Sequence, residues 1–398
     1  MMSSQASLLE TISNDFFGLP MITPAATGAR AETYFSTGVS EALWGESYLL
    51  GLQPDVFEEM TALARLILDM KTERDTERGW YHSEEQVSVL YADDTFGNLA
   101  VSGFSRAVKN TVGINIGFNA LGLLPATIEI SSITPLDTEE GTDYRPALIN
   151  LSEDRASIIV LLAEGYDAVF ARSVFTQARE VGLVNETVQW YVTGGHAMDG
   201  IFAVNQTHHD SQLAYDLRGT LGVRACTPTK GAGFEEINNL TSRWASLDPD
   251  VYPGAGTSGL TPDGRMDPLL AFAYDAVFTL ASAIGSVQFT ATRWNNFLEG
   301  FSTESCPFNP GGLWEGGELI RDAALTTDIV GVTGRVTFIQ GSKVVTNGFG
   351  EAGSGWRPVN GTTFCAMNLR AHASLGGTFA TVRSWMPKQW EDVNGTAA

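Results

Sequence analysis

Apolar positions recur along the chain with two periods, and the periods alternate. Asp55 to Met70 (DVFEEMTALARLILDM) places Val56, Met60, Leu63, Leu66 and Ile67 on one face at helical spacing. The charged, turn-prone KTERDTERGWYHSEE that follows reads as a solvated loop. Val87 to Tyr91 predicts a strand, and Leu99 to Lys109 predicts a helix. Ala156 to Leu162 (ASIIVLL) is almost continuously apolar, as expected for a parallel strand covered on both faces. Tyr166 to Val181 repeats helically, Gly182 is placed as its C-cap, and Val188 to Val192 predicts the next strand. A strand, helix, strand unit of this length is a crossover and implies a parallel sheet.

The flanks follow a looser pattern. Gly18 to Thr23 is a short apolar segment punctuated by Pro20 and Pro24. Leu217 to Val223 is short, Phe234 to Ala245 is amphipathic, and Val251 to Asp267 is a Gly/Pro loop. Asp267 to Ile284 (DPLLAFAYDAVFTLASAI) predicts a strong helix with Asp267 as N-cap and Pro268 at its first position. Val336, Phe338 and a Gly-Ser turn before Val344 predict a hairpin. The pattern reads as α/β, with two parallel-sheet lobes and several crossings of the chain between them.

Composition narrows the partners. The chain has 398 residues, with 24 Lys+Arg against 46 Asp+Glu, a formal net charge of −22. A surface this acidic repels phosphate backbones and anionic lipid heads, which argues against nucleic acid and against peripheral membrane binding. The longest apolar runs, such as Ile158 to Ala163, fall short of the ~20 residues of a membrane helix. The N-terminus, MMSSQASLLETISNDFFG, has neither the basic nor the apolar region of a signal peptide. Six sequons (at Asn150, Asn185, Asn205, Asn239, Asn360 and Asn394) exceed the roughly two expected by chance and favour a secreted, glycosylated protein. Together these features suggest a piece of a longer secreted or membrane-anchored protein.

Candidate chemistry is sparse. Cys226, Cys306 and Cys365 share no zinc-type spacing. Two GxGxxG matches, starting at Gly254 and Gly348, lack the strand before and helix after that a dinucleotide site needs. His208, His209 and Asp210 are adjacent, so their side chains diverge and suit an exposed loop better than one metal. Asp93 and Asp94 end a strand and precede a helix, a favourable place for a ligand in an open α/β sheet. Adjacent acids point apart, however, so turn and N-cap chemistry for a helix starting near Asn98 is the preferred reading. Nothing converges to a nucleophile, base and oxyanion donor, which argues against an enzyme and calls for no cofactor or metal.

Several segments resemble one family in their order along residues 7–338. FFGLPMITPAATGARAE, LQPDVFEEMTALARLI, VLYADDTFGNLAVSGFSRAV and IIVLLAEGYDAVFARSVFTQAREVGLVNETVQWYVTGG are similar to successive segments of type I periplasmic-binding-protein-like receptor ectodomains, and LGVRACTP, AFAYDAVFTLASAI and GVTGRVTF follow in the family's order. That family includes class C G-protein-coupled receptors, natriuretic-peptide-type receptors, ionotropic glutamate receptor amino-terminal domains and bacterial amino-acid binding proteins. The resemblance implies two Rossmann-like lobes closing on a small polar ligand. Lobe 1 would hold residues 1–52 and 200–330 and would be incomplete, because family members carry further residues upstream. Lobe 2 would hold 53–199 and 331–398, including the final hairpin.

The resemblance also implies a site. Ala25, Ala26 and Thr27 align with the segment that holds an α-carboxylate, and Phe96 with an aromatic that packs on the ligand. Glu164 and Gly165 end a strand at the cleft. Gly194 stands where amino-acid receptors carry an Asp for the ligand ammonium, so a standard amino-acid site requires Glu164 as the substitute. Cys226 and Cys306 are implied as a disulfide within lobe 1. The implied function is the extracellular ligand-binding region of a membrane receptor, with a small-molecule ligand and dimerisation through lobe 1. The alternative is a solute-binding protein of an ABC transporter for amino acids.

Overall fold

In the computed structural model, the described residues are 21–23, 49–52, 56–78, 84–114, 127–164, 168–193, 203–205, 208–209, 211–228, 232–253, 255–256, 260, 266–288, 315–338, 345–346, 351–352, 363–372, 376–386 and 389–392. In chain order the elements are β1 (Met21–Thr23), β2 (Leu49–Gly51), α1 (Val56–Arg78), β3 (Glu84–Ala92), α2 (Thr95–Ile114), β4 (Thr127–Leu136), α3 (Arg145–Glu153), β5 (Ile158–Leu162), α4 (Ala168–Glu180), β6 (Gln189–Thr193), β7 (Ala203–Asn205), β8 (His208–His209), α5 (Ser211–Asp216) and β9 (Leu221–Cys226). They continue with α6 (Ala232–Ser246), α7 (Pro268–Gln288), α8 (Glu315–Leu325), β10 (Ile329–Gly331), β11 (Gly334–Val336), β12 (Val345–Thr346), β13 (Glu351–Ala352), β14 (Thr363–His372), β15 (Gly376–Met386) and β16 (Gln389–Asp392).

The chain divides into two compact units: residues 1–55 with 225–363 form unit 1, and residues 56–224 with 364–398 form unit 2. Unit 2 is organised on an eight-stranded sheet of order β16-β15-β14-β9-β6-β5-β3-β4. The pairs β3/β4, β3/β5, β5/β6 and β6/β9 are parallel, while β14/β15 and β15/β16 are antiparallel. Every residue of β5 is buried, as its unbroken apolar run requires of a strand covered on both faces. Helix α4 packs its inner face through Phe175, whose ring meets Trp190 of β6 edge-on at 5.0 Å. The mostly parallel sheet flanked by helices is an α/β fold.

Two details differ from the expectations here. The charged stretch after Met70 continues as helix to Arg78, because Lys, Glu and Arg sustain a helix as readily as they solvate a loop. The disulfide implied between Cys226 and Cys306 is corrected. Cys226 and Cys365 are both disulfide-bonded, and with three cysteines in the chain they can be bonded only to each other. Their strands, β9 and β14, are neighbours in the sheet, which no sequence spacing reveals.

Unit 1 is built around α7. Phe272, Ala276 and Ala283 of this helix form a buried cluster with Leu50, Leu52, Ile320, Ala324, Val336 and Phe338. A second cluster joins Ala271 and Met266 to Ile237 of α6 and to Val332. Strands β1 and β2 pair in parallel. Asp275, wholly buried on α7, accepts hydrogen bonds from the backbone N–H of Val332 (2.9 Å), the N–H of Thr333 (2.8 Å) and the Thr333 hydroxyl. Those residues form the turn of the β10–β11 hairpin. By length and composition α7 could cross a membrane, but one face lies in a protein core and Asp275 is engaged there. Its outer face exposes Leu270, Tyr274, Val277 and Phe278.

The unit division falls at 55/56, 224/225 and 363/364, against the expected 52/53, 199/200 and 330/331. Residues 221–224 stay with unit 2 because β9 extends its parallel sheet beside β6. The hairpin expected from Val336, Phe338 and a Gly-Ser turn has its turn outside the described residues; a separate hairpin, Ile329–Val336, belongs to unit 1, where Asp275 holds its turn.

Candidate functional site

The strand order of unit 2 singles out one place. Numbered as they appear in the chain, the five parallel strands run 2-1-3-4-5 across the sheet: β4, β3, β5, β6, β9. The chain leaves β3 toward one edge, then returns past it to add β5 on the other side. Connections therefore reverse direction between β3 and β5. In open α/β sheets, ligands bind outside the carboxyl ends of the strands at such a reversal.

The carboxyl end of β3 is a tightly bonded turn. The Asp93 N–H donates to the Leu136 carbonyl (2.8 Å), tying the end of β3 to that of β4, and the Asp94 N–H donates to the Ala92 carbonyl (2.8 Å). Asp94 Oδ1 accepts the N–H of Gly97 (2.7 Å), the third residue of α2. Asp94 is thus the N-cap, and its carboxylate satisfies a donor the helix start would leave orphaned. The Asn98 side-chain amide donates to the Asp94 carbonyl (2.8 Å) and to Asp93 Oδ1 (3.4 Å). The turn-and-cap reading of the two carboxylates is what the geometry shows, with the helix starting at Thr95 rather than near Asn98. Gly97 is required sterically: a Cβ there would lie 1.9 Å from the Ala92 carbonyl oxygen.

Phe96 is only 3% exposed, so its ring is part of the packing at this strand end. Across the reversal, Glu164 follows β5 and is half-buried. Its position is set by a bridge that periodicity does not reveal. The wholly buried Thr193 hydroxyl accepts the Ala163 N–H (3.0 Å) and donates to the Ala163 carbonyl (2.9 Å). This hydroxyl continues the β5–β6 ladder beyond the Leu161–Val192 pair, so the backbone leading into Glu164 is held on both its polar groups.

The structure therefore brings Asp93, Asp94, Phe96, Glu164 and Thr193 to the carboxyl ends of neighbouring strands. Ala25, Ala26, Thr27, Gly165 and Gly194 lie outside the described residues, as do Cys306, Asn360 and Asn394. Among the sequons, Asn150, Asn185 and Asn239 are exposed and Asn205 lies in β7. Among the described residues, no group of three or more His, Cys, Asp and Glu side chains could hold a metal ion.

The model of the family described as "Receptor family ligand binding region" matches residues 80–346. Glutamate receptor 2.2 of Arabidopsis thaliana is 23% identical over 263 residues, covering 66% of this chain and 24% of that protein. Glutamate receptor 2.7 of the same plant is 25% identical over 122 residues, covering 31% of this chain and 11% of that protein. The matched region thus spans a quarter or less of the length of either relative.

Proposed function

The chain belongs to the receptor family ligand-binding region family, and from that premise we propose that it is the extracellular part of a membrane receptor, taking a small polar ligand at the strand ends between β3 and β5. The observation that carries the reading is the family match across residues 80–346, which includes β3, β5 and β6 and hence the whole reversal point. The buried Cys226–Cys365 disulfide supports an oxidising compartment, outside the cytosol. Closure of the two lobes on the ligand, and signal transduction by an attached membrane domain, belong to the same proposal.

The names of the two relatives favour an amino acid as the ligand class, with glutamate the first to try. Gly194 leaves the usual ammonium partner without a carboxylate, so Glu164 is assigned that role, Thr27 that of holding the α-carboxylate, and Phe96 the wall. The test is calorimetric titration of the intact ectodomain with L-glutamate, other amino acids, amines and small acids. Binding of an amino acid, weakened about tenfold or more by Glu164→Gln, supports the reading, since one charge-assisted hydrogen bond contributes on the order of 1.5–3 kcal/mol. An intact ectodomain that responds to none of these compounds overturns it.

A further inference from the structure

We infer that Asn150 and Asn185 carry N-linked glycans, and that these glycans cover the end of the unit-2 sheet opposite the candidate ligand site. The inference rests on the extracellular reading above and goes further by naming a modified surface. The first support is topological. Asn150 lies in the last turn of α3, just before β5, and Asn185 lies between the end of α4 and the start of β6. In parallel β-α-β units the helix-to-strand connections gather at the amino ends of the strands. Both sequons therefore sit at one pole, while Asp94, Phe96 and Glu164 follow the carboxyl ends at the other.

The second support is local. Asn150 is exposed, while its helix neighbours Leu148 and Leu151 face the core. At Asn185 the sequon's own groups already meet on an exposed loop. Asn185 Oδ1 accepts from the Thr187 hydroxyl (2.6 Å) and from the Thr187 N–H (2.7 Å). Its amide nitrogen donates to the Gly182 carbonyl (2.7 Å). An N-glycosylated asparagine is a secondary amide and retains one N–H, enough to keep that bond, so attachment demands no rearrangement of the turn. The middle residue, Glu186, has a side chain 90% exposed and reaches Arg218 at 3.3 Å, so nothing on that side encloses the sequon. The disulfide supplies the compartment in which such attachment takes place. A glycan-bearing pole excludes docking there and leaves the strand carboxyl ends clear.

The test is surface biotinylation of eukaryotic cells expressing the full-length protein. The labelled fraction is recovered and treated with peptide-N-glycosidase in heavy-oxygen water, and residues 150 and 185 are mapped by mass spectrometry. Heavy-labelled aspartate at both positions is expected, and N150Q and N185Q each remove one step from the gel mobility shift. Surface-labelled protein whose Asn150 and Asn185 are unmodified overturns this inference and leaves the receptor reading standing. Protein that stays inside the cell with both asparagines unmodified overturns the receptor reading, and this inference with it.

Discussion

In unit 2 the most buried strand, β5, is closed at its end by the hydroxyl of Thr193 on the very next strand of the sheet. In unit 1 the long helix α7 is held by Asp275, whose carboxylate meets a turn 57 and 58 residues further along the chain. Unit 2 thus satisfies its buried backbone at this end through neighbouring strands and caps. Unit 1 places an ionisable group inside an apolar helix and satisfies it through one distant hairpin. A carboxylate in that setting is tolerated only because three donors converge on it. The first kind of core fails piecemeal when a local contact is lost; the second depends on a single cluster.

The largest effect should come from breaking that cluster. Asp275→Ala leaves the N–H groups of Val332 and Thr333 and the Thr333 hydroxyl buried without their acceptor, a loss of about 4 kcal/mol. Hydrogen exchange is the direct readout: the Val332 and Thr333 amides should lose protection, while the Ala163 amide of unit 2 keeps its own. Equal loss in both units would show that the two cores are not independent in the way their bonding suggests.

Next in size is Gly97→Ala in unit 2. Its Cβ would sit 1.9 Å from a backbone oxygen, which no side-chain rotation relieves, so a cost of about 3 kcal/mol is expected. The effect should be confined to the β3–α2 turn. A chemical denaturation midpoint equal to that of the parent would mean the turn relaxes freely and that unit 2 is less tightly specified there than its bonding implies. A smaller step separates the two acids beside it. Asp94→Ala removes the N-cap bond to Gly97 and should cost about 1 kcal/mol. Asp93→Ala loses only a 3.4 Å contact on an exposed side chain and should stay within about 0.5 kcal/mol of the parent. The reverse order would move the structural role to Asp93.

The same contrast explains what could be read in advance. β5, α4, its Gly182 cap and the Asp267–Pro268 start of α7 are set by neighbours in sequence, and each is legible from period and capping residue. The ends of helices were less so: α2 begins at Thr95 because Asp94 caps it, although the apolar spacing becomes clear only from Leu99. What period cannot convey is which distant segments meet. The Asp275 turn, the β9–β14 neighbourhood that pairs Cys226 with Cys365, and the assignment of the hairpin to unit 1 all depend on strand order or on long-range bonds. At the site, Phe96 and Glu164 were reachable through the resemblance. Thr193 stood in the Thr-Gly-Gly segment, but its bridge to Ala163 exists only once β5 and β6 are known to be adjacent.

The smallest expected change is a gain, and it arises from two turns of the same design in unit 2. α4 ends with Gly182 in the left-handed region, at φ 78°; the Leu183 N–H reaches back to Ala178 and the Gly182 N–H to Arg179. α3 ends the same way, with the Ala156 N–H bonded to Leu151 and the Arg155 N–H to Ser152, but the left-handed residue is Arg155, at φ 55°. A side chain at that position carries steric strain on the order of 1 kcal/mol that glycine avoids. Glycine returns part of the gain through the greater freedom of its unfolded chain. Arg155→Gly should therefore stabilise by about 0.5 kcal/mol, the residue left between these opposing terms. The gain should appear as slower amide exchange at Arg155 and Ala156, with Val332 and Thr333 of unit 1 unchanged. A loss instead of a gain would mean that the Arg155 side chain contributes more than its backbone costs, and that α3 is held from outside its own turn.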